Sequence, residues 1–187
     1  MMLIVKMDVK KYFIAIVIPG PVSGQIEEIK QELFELYNLK GALRSPAHIT
    51  LHRPFEWKES NEQELIKKLR TFEFNTAFNL ELKDFDFFEP RVIYINVLRQ
   101  QLLYDLHNKL KLFAKKELGL FNEVNDLRGF HPHVTVAFRD LKKARFYELQ
   151  ENFRKRPFKG DFNYVGFSLL KLEKLWEEHC CFKTTLL

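Results

Sequence analysis

Apolar positions along the chain follow two rhythms, and the switches between them predict most of the elements. Residues 12–18 are β-branched and aromatic and are halted by Pro19-Gly20-Pro21, which reads as a buried strand followed by a loop. Ile26, Ile29, Leu33 and Leu36 then recur at helical spacing within 23–39. Pro46 and Pro54 bracket the segment 47–52 and hold it extended, because proline at both ends is hostile to a helix. A second helix is predicted over 60–72, where Glu64 and Lys68 stand four apart. Strands follow at 77–87 and 91–97, turning near Glu89-Pro90. A third helix over 99–117 carries Leu102, Leu103, Leu106, Leu110 and Phe113. Residues 122–130 are polar and contain Gly129, hence a loop. Residues 131–138 read as a strand, 141–153 as a helix, and 162–173 and 179–186 as strands.

Four helices mixed with seven strands define an α+β chain with antiparallel sheets. No Pro/Gly/Ser linker or low-complexity tract interrupts it, so residues 1–187 are expected to form a single domain. Hydrophobic residues at 46% and charged ones at 29% place the chain among globular proteins rather than disordered ones. Its 19 phenylalanines exceed what a nucleobase site would use, so core packing accounts for most of them. The formal charge of +5 leans towards an anionic partner such as RNA or a nucleotide. Cys180 and Cys181 are adjacent, a spacing that rarely meets disulfide geometry, which points to a reducing cytoplasm. Lys6, Asp8, Lys10 and Lys11 break up the apolar N-terminal patches. Neither a secretory signal nor a membrane-length run is predicted, so a cytoplasmic chain without a membrane partner is expected.

Two of the predicted strands carry the same pattern: His48-Ile49-Thr50-Leu51 and His133-Val134-Thr135-Val136. Side chains of a strand alternate between its faces, so His48 and Thr50 share one face, as do His133 and Thr135. The intervening aliphatic residues face a core. Two such strands side by side would surround a cavity with two imidazoles and two hydroxyls. This set suits a phosphodiester: one imidazole takes a proton from the attacking oxygen and the other gives one to the leaving oxygen. The hydroxyls donate to the non-bridging oxygens. No cofactor is required. A single His-x-Thr means little, whereas two with apolar flanks on predicted strands are far rarer.

The paired pattern resembles that of the 2H phosphoesterases, which include the 2′-5′ RNA ligase-like proteins and cyclic nucleotide phosphodiesterases. Phe130-His131-Pro132-His133-Val134-Thr135-Val136 resembles the family form most closely. The resemblance implies a bilobal, pseudo-twofold fold around a central cleft, with His48 and His133 catalytic and Thr50 and Thr135 binding phosphate. It implies hydrolysis of a 2′,3′-cyclic phosphate or a 2′-5′ linked nucleotide or RNA end, with ligase-like activity as a related direction. A binding module for nucleotides or RNA ends, keeping the cleft without turnover, is the alternative. Two positions depart from the family pattern. Phe138 stands where ligase-like members often have arginine, with Arg139 next, and His52-Arg53-Pro54 follows the first motif in place of small and aromatic residues.

Further candidates come from parity. His52 shares that of His48, and both His131 and Arg139 share that of His133, making all three candidate substrate contacts. Arg53 has the opposite parity. Tyr12, Phe55, Trp57 and Phe130 are candidate base-stacking rings, with core packing the commoner use of such residues. His107 and His179 lie outside both motifs and are expected to be structural or exposed. A metal reading would need His48 and His52 on one helix face, or His131 and His133 joined by a third ligand. The flanking prolines and the unexplained threonines count against it.

Overall fold

The computed structural model of the protein describes residues 8–122 and 129–184, so residues 123–128 of the predicted loop fall outside the described residues. In chain order the elements are β1 (Val9–Val17), α1 (Gly20–Tyr37), β2 (His48–Lys58), α2 (Glu62–Leu69), β3 (Phe78–Phe88) and β4 (Val92–Val97). There follow α3 (Gln101–Glu117), β5 (His133–Ala137), α4 (Lys143–Lys155), β6 (Lys159–Tyr164), β7 (Gly166–Leu172) and β8 (Trp176–Lys183). The molecule is α+β, with two antiparallel four-stranded sheets ordered β2-β1-β7-β8 and β5-β4-β3-β6. Each His-x-Thr strand is an edge strand. An edge also accommodates Pro54 inside β2, because proline has no N–H to give to a neighbour.

The described residues hold eight strands rather than seven, because the apolar run 162–173 is two strands in different sheets. β6 belongs to the second sheet and β7 to the first, and the chain changes sheets at Gly166. Its φ of 144° is open to glycine alone, and a Cβ there would strike the carbonyl of Phe182. The last strand also begins three residues earlier than the periodicity suggests. The helical stripes shift slightly as well. In α1 the buried set is Ile26, Ile29, Lys30 and Leu33, while Leu36, near the helix end, is 64% exposed. In α3 the buried set is Leu103, Leu106, His107, Leu110 and Ala114, with Leu102 and Phe113 flanking it.

The main apolar core runs through both lobes, and a small separate cluster of Phe13, Ala15 and Leu170 lies on the other face of β1. The helices exchange partners across the molecule: α1, between β1 and β2, lies against β5, and α3, between β4 and β5, lies against β2. Two polar ties reinforce this exchange. The Asp140 carboxylate accepts the backbone N–H groups of Lys40 and Gly41 at 2.6 and 3.0 Å, and Arg156 donates through both terminal guanidinium nitrogens, Nη2 and Nη1, to the Glu32 carboxylate at 2.8 and 2.9 Å. In the first lobe, Glu62 at the start of α2 gathers Tyr12 Oη at 2.6 Å, Lys171 Nζ at 2.7 Å and His179 Nε2 at 3.1 Å, joining α2 to β1, β7 and β8. Burial works against the Glu62 charge, but the bonds from Lys171 and Tyr12 outweigh it and hold the carboxyl below its ordinary range.

At Gly41 the lobes approach closely through backbone: a Cβ there would run into the Phe138 carbonyl oxygen and the Asp140 carboxylate. Gly41→Ala is expected to cost about 1–3 kcal/mol, the usual cost of overpacking. Gly24→Ala, at a helical site with open space around it, should be neutral or stabilising by up to about 1 kcal/mol. Urea denaturation of the two variants checks this, and equal midpoints would mean that the contact at Gly41 bears no stress.

Candidate active site

β2 and β5 lie beside one another, so the edges bearing the two motifs meet. On β2 the alternation is as the sequence implies: Ile49 and Leu51 are buried, while His48 and Thr50 are half-buried. His48 pairs across the sheet with Val17, and Thr50 with Ala15. On β5, Val134 and Val136 are buried and His133 and Thr135 half-buried, opposite Asn96 and Tyr94 of β4. Among the described residues neither threonine hydroxyl is engaged by a protein hydrogen bond.

The two imidazoles are held in the same way. His48 Nδ1 lies 2.7 Å from the Pro46 carbonyl, and His133 Nδ1 lies 2.7 Å from the His131 carbonyl, in each case two residues upstream. A carbonyl only accepts, so Nδ1 carries the hydrogen and the basic lone pair of the neutral ring sits on Nε2. Aromatic walls complete the support. The His48 ring lies 4.9 Å from Phe13, whose own edge meets Trp176 at 4.7 Å. The His133 ring lies 5.0 Å from both Phe88 and Tyr94.

These apolar surroundings disfavour the charged imidazole. Burial pushes His48 down to about 4, with the positive charges of Lys30 and His133 adding to the effect and the Pro46 bond opposing it. Burial likewise lowers His133, opposed by its bond to the His131 carbonyl and helped by the charge of the His131 ring. That His133 is felt electrostatically at His48 follows from the meeting of β2 and β5.

The remaining sequence candidates part ways. His131 is exposed beside His133, its Nε2 3.0 Å from Tyr94 Oη. His52 does not share the face of His48 and Thr50. The β1–β2 register shifts on either side of Ile14, His52 pairs with that core residue, and its ring is 1% exposed in edge contact with Phe55. Arg139 loses the parity of His133 because β5 ends at Ala137. With φ at 64°, Arg139 is exposed and its guanidinium lies 5.0 Å from the Phe138 ring. Tyr12 and Phe55 are core residues, at 0% and 6% exposure. Trp57 donates to the Asn61 carbonyl, and Phe130 stacks on His107. Sequence reasoning missed Phe13, Phe88, Tyr94 and Lys30. Phe13 falls opposite in parity to Tyr12 and Ile14, but β1 is buried and apolar on both faces, so its pattern alone does not single Phe13 out. Among the described residues no three His, Cys, Asp or Glu side chains gather as a metal-ligand set. Two hollows, of about 440 and 430 Å³, lie elsewhere and are lined by no residue of either motif.

Two sheets that each present a His-x-Thr edge strand to the other form the frame of a two-histidine phosphoesterase. Residues 18–175 match the model of the 2′-5′ RNA ligase superfamily, and the chain belongs to that superfamily. A protein of Geobacillus sp. (strain WCH70) with a provisional phosphoesterase name is 29% identical over 151 residues, 79% of this chain and 82% of its own length. A similarly named protein of Bacillus cytotoxicus is 29% identical over 162 residues, 84% of this chain and 89% of its own. Among solved structures, apo LigT of E. coli superposes with a TM-score of 0.69 at 20% identity, covering 95% of this chain and 98% of LigT. TT0787 of Thermus thermophilus superposes at 0.64 with 18% identity, covering 93% and 97%. LigT in complex with 3′-AMP superposes at 0.66 with 19% identity, covering 95% and 99%. The family supports phosphoesterase activity in the broad sense. Among the described residues no helix is long and apolar enough to cross a membrane.

The depressed histidines have a consequence for stability. A folded-state pKa below the unfolded value of about 6.5 means that the unfolded chain binds protons first as the pH falls. Stability should therefore decline from about pH 6.5 down to about 4, the His48 value. His48→Ala should flatten part of this decline in melting curves recorded across that range. An identical slope in parent and variant would show that His48 is not desolvated.

Proposed function

We propose that the protein is a metal-independent phosphodiesterase acting on a 2′,3′-cyclic phosphate or on a 2′-5′ linked nucleotide or RNA end, with His48 and His133 exchanging the protons. The observation that carries this reading is the matched tethering of the two rings, which leaves only Nε2 on each to exchange a proton. A neutral Nε2 takes the proton of the attacking water while a protonated one delivers a proton to the leaving oxygen. Thr50 and Thr135 donate their hydroxyls to the non-bridging oxygens, where charge develops. His131, beside His133, is a further candidate contact to substrate. A 5′-hydroxyl in place of water would turn the same exchange towards a 2′-5′ bond, the direction named by the superfamily. The net charge of +5 and the binding of 3′-AMP and NADP+ by E. coli LigT support a nucleotide or RNA partner. A cytoplasmic setting accords with the two free thiols of Cys180 and Cys181.

One observation favours a second reading. Both rings are depressed below 6.5, so the free protein at neutral pH is short of the protonated partner, as a nucleotide-binding module without turnover would be. Hydrolysis assays in EDTA from pH 4 to 8, on 2′,3′-cyclic nucleotides and 2′-5′ dinucleotides, separate the two. Turnover should survive the chelator, and kcat/KM should follow a bell whose maximum lies below pH 6.5. His48→Ala and His133→Ala should each lower kcat by about 10²–10⁴-fold. The double variant should fall little further than the worse single one, because acid and base serve one transition state. Thr50→Val and Thr135→Val keep the branched shape and should lose less. Binding without hydrolysis would establish the module, and histidine variants with parental rates would remove both rings from the mechanism.

A further inference from the structure

The quasi-twofold relation between the motifs extends to the helices behind them. Buried positions run Ile26, Ile29, Lys30, Leu33 in α1 and Leu103, Leu106, His107, Leu110 in α3, with the same spacing of i, i+3, i+4 and i+7. In both helices the third place is taken by a basic residue where an apolar one would be ordinary. Each basic side chain meets the residue three positions ahead of a motif histidine. Lys30 Nζ donates to the Ser45 carbonyl at 3.1 Å, while the His107 ring lies on Phe130 with centroids 3.8 Å apart and planes 6° apart.

Lys30 is 2% exposed, a costly place for an ammonium group. Burial lowers its pKa, and the Glu27 carboxylate at 2.9 Å opposes the fall. The same Glu27 oxygen accepts the Ala47 N–H at 2.7 Å. Ser45 and Ala47 are therefore tied to one turn of α1, and between them lies Pro46, whose carbonyl holds His48 Nδ1.

We propose that Lys30, with Glu27, is a positioning residue for His48: the pair clamps residues 45–47 so that the imidazole is presented through Nε2 beside a fixed positive charge, as the proton-accepting member of the two histidines. His133 is then the donor. The assignment rests on the two-histidine reading above. Among the described residues the charges felt at His48 are those of Lys30, itself paired with Glu27, from α1 and of His133 from β5, whereas β1 offers it Phe13 and Val17. Around His133 the neighbouring charge is that of His131, and the place equivalent to Lys30 holds the ring of His107. Two copies of one motif are thereby given unlike surroundings, as acid and base roles require.

Nitrogen-15 NMR of the imidazoles across pH tests this on the intact protein, with no substrate needed. In the parent, neutral His48 should be the Nδ1–H tautomer and should titrate well below His133. In Lys30→Met the His48 midpoint should rise by about one unit, a tenfold change in its protonation equilibrium, and the tautomer signal should become mixed. The His133 midpoint should stay in place. Lys30→Arg, which keeps the charge, should resemble the parent. Should Lys30→Met fold poorly, Lys30→Met/Glu27→Gln removes both charges yet leaves an acceptor for the Ala47 N–H, and the His48 midpoint should rise there too. An unmoved His48 midpoint, equal movement of both histidines, or Lys30→Arg behaving like Lys30→Met would overturn the proposal. If the parent cleaves no phosphodiester, the enzymatic reading falls while the NMR result still decides the role of Lys30. In a parent that does, the acid limb of kcat/KM should move up with His48 in Lys30→Met.

Discussion

A bond from imidazole Nδ1 to a carbonyl two residues upstream, made once in each lobe, governs what this site can do. It aligns each ring, selects its tautomer and leaves one nitrogen for chemistry. The bond requires the backbone ahead of each histidine to be extended and stiff. Proline supplies that stiffness twice, as Pro46 in the first lobe and Pro132 in the second. It also requires each motif to lie at a sheet edge, where one flank of the strand is free to meet the other lobe. The exchange of α1 and α3 between lobes brings those edges together, and the Asp140 and Arg156 ties hold them there.

The same support sets a tension. Rings held against Phe13, Phe88 and Tyr94 are well aligned and poorly solvated, and poor solvation works against the protonated form that the proposed exchange asks of one of them. An anionic phosphodiester entering between them would reverse part of that effect, because a negative charge favours imidazolium. In the proposed mechanism alignment comes from the fold, whereas the charge state would be completed by the ligand.

Much of this was legible in the chain. Two His-apolar-Thr-apolar stretches flanked by proline could only be strands, and the switching of apolar period supplied the α+β order. What escaped did so for local physical reasons. The run 162–173 looks continuous because its sheet change costs one glycine, Gly166. His52 and Arg139 were read by parity, and parity fails at a register shift and at a strand end. Phe13 was hidden because β1 is apolar on both faces, so nothing in its pattern tells cleft from core. Lys30 was hidden because a lysine within a helix reads as its solvated side, and only its own burial in the folded molecule shows otherwise.

The crossing at Gly166 reaches beyond the site. β7 and β8, made last, complete the sheet that β1 and β2 begin, and β7 lies directly against β1. A nascent chain therefore presents one whole lobe ready to close while the other waits, the apolar face of β1 bare, until residues 166–172 leave the ribosome. Pairing over such a separation is slow, because the loop-closure entropy must be met before any contact compensates it. The second sheet is one contiguous piece of sequence, β3 through β6, whereas the first is split between the two ends of the chain, so a cut between β2 and β3 would keep the second sheet's strands together and part β1 and β2 from β7 and β8.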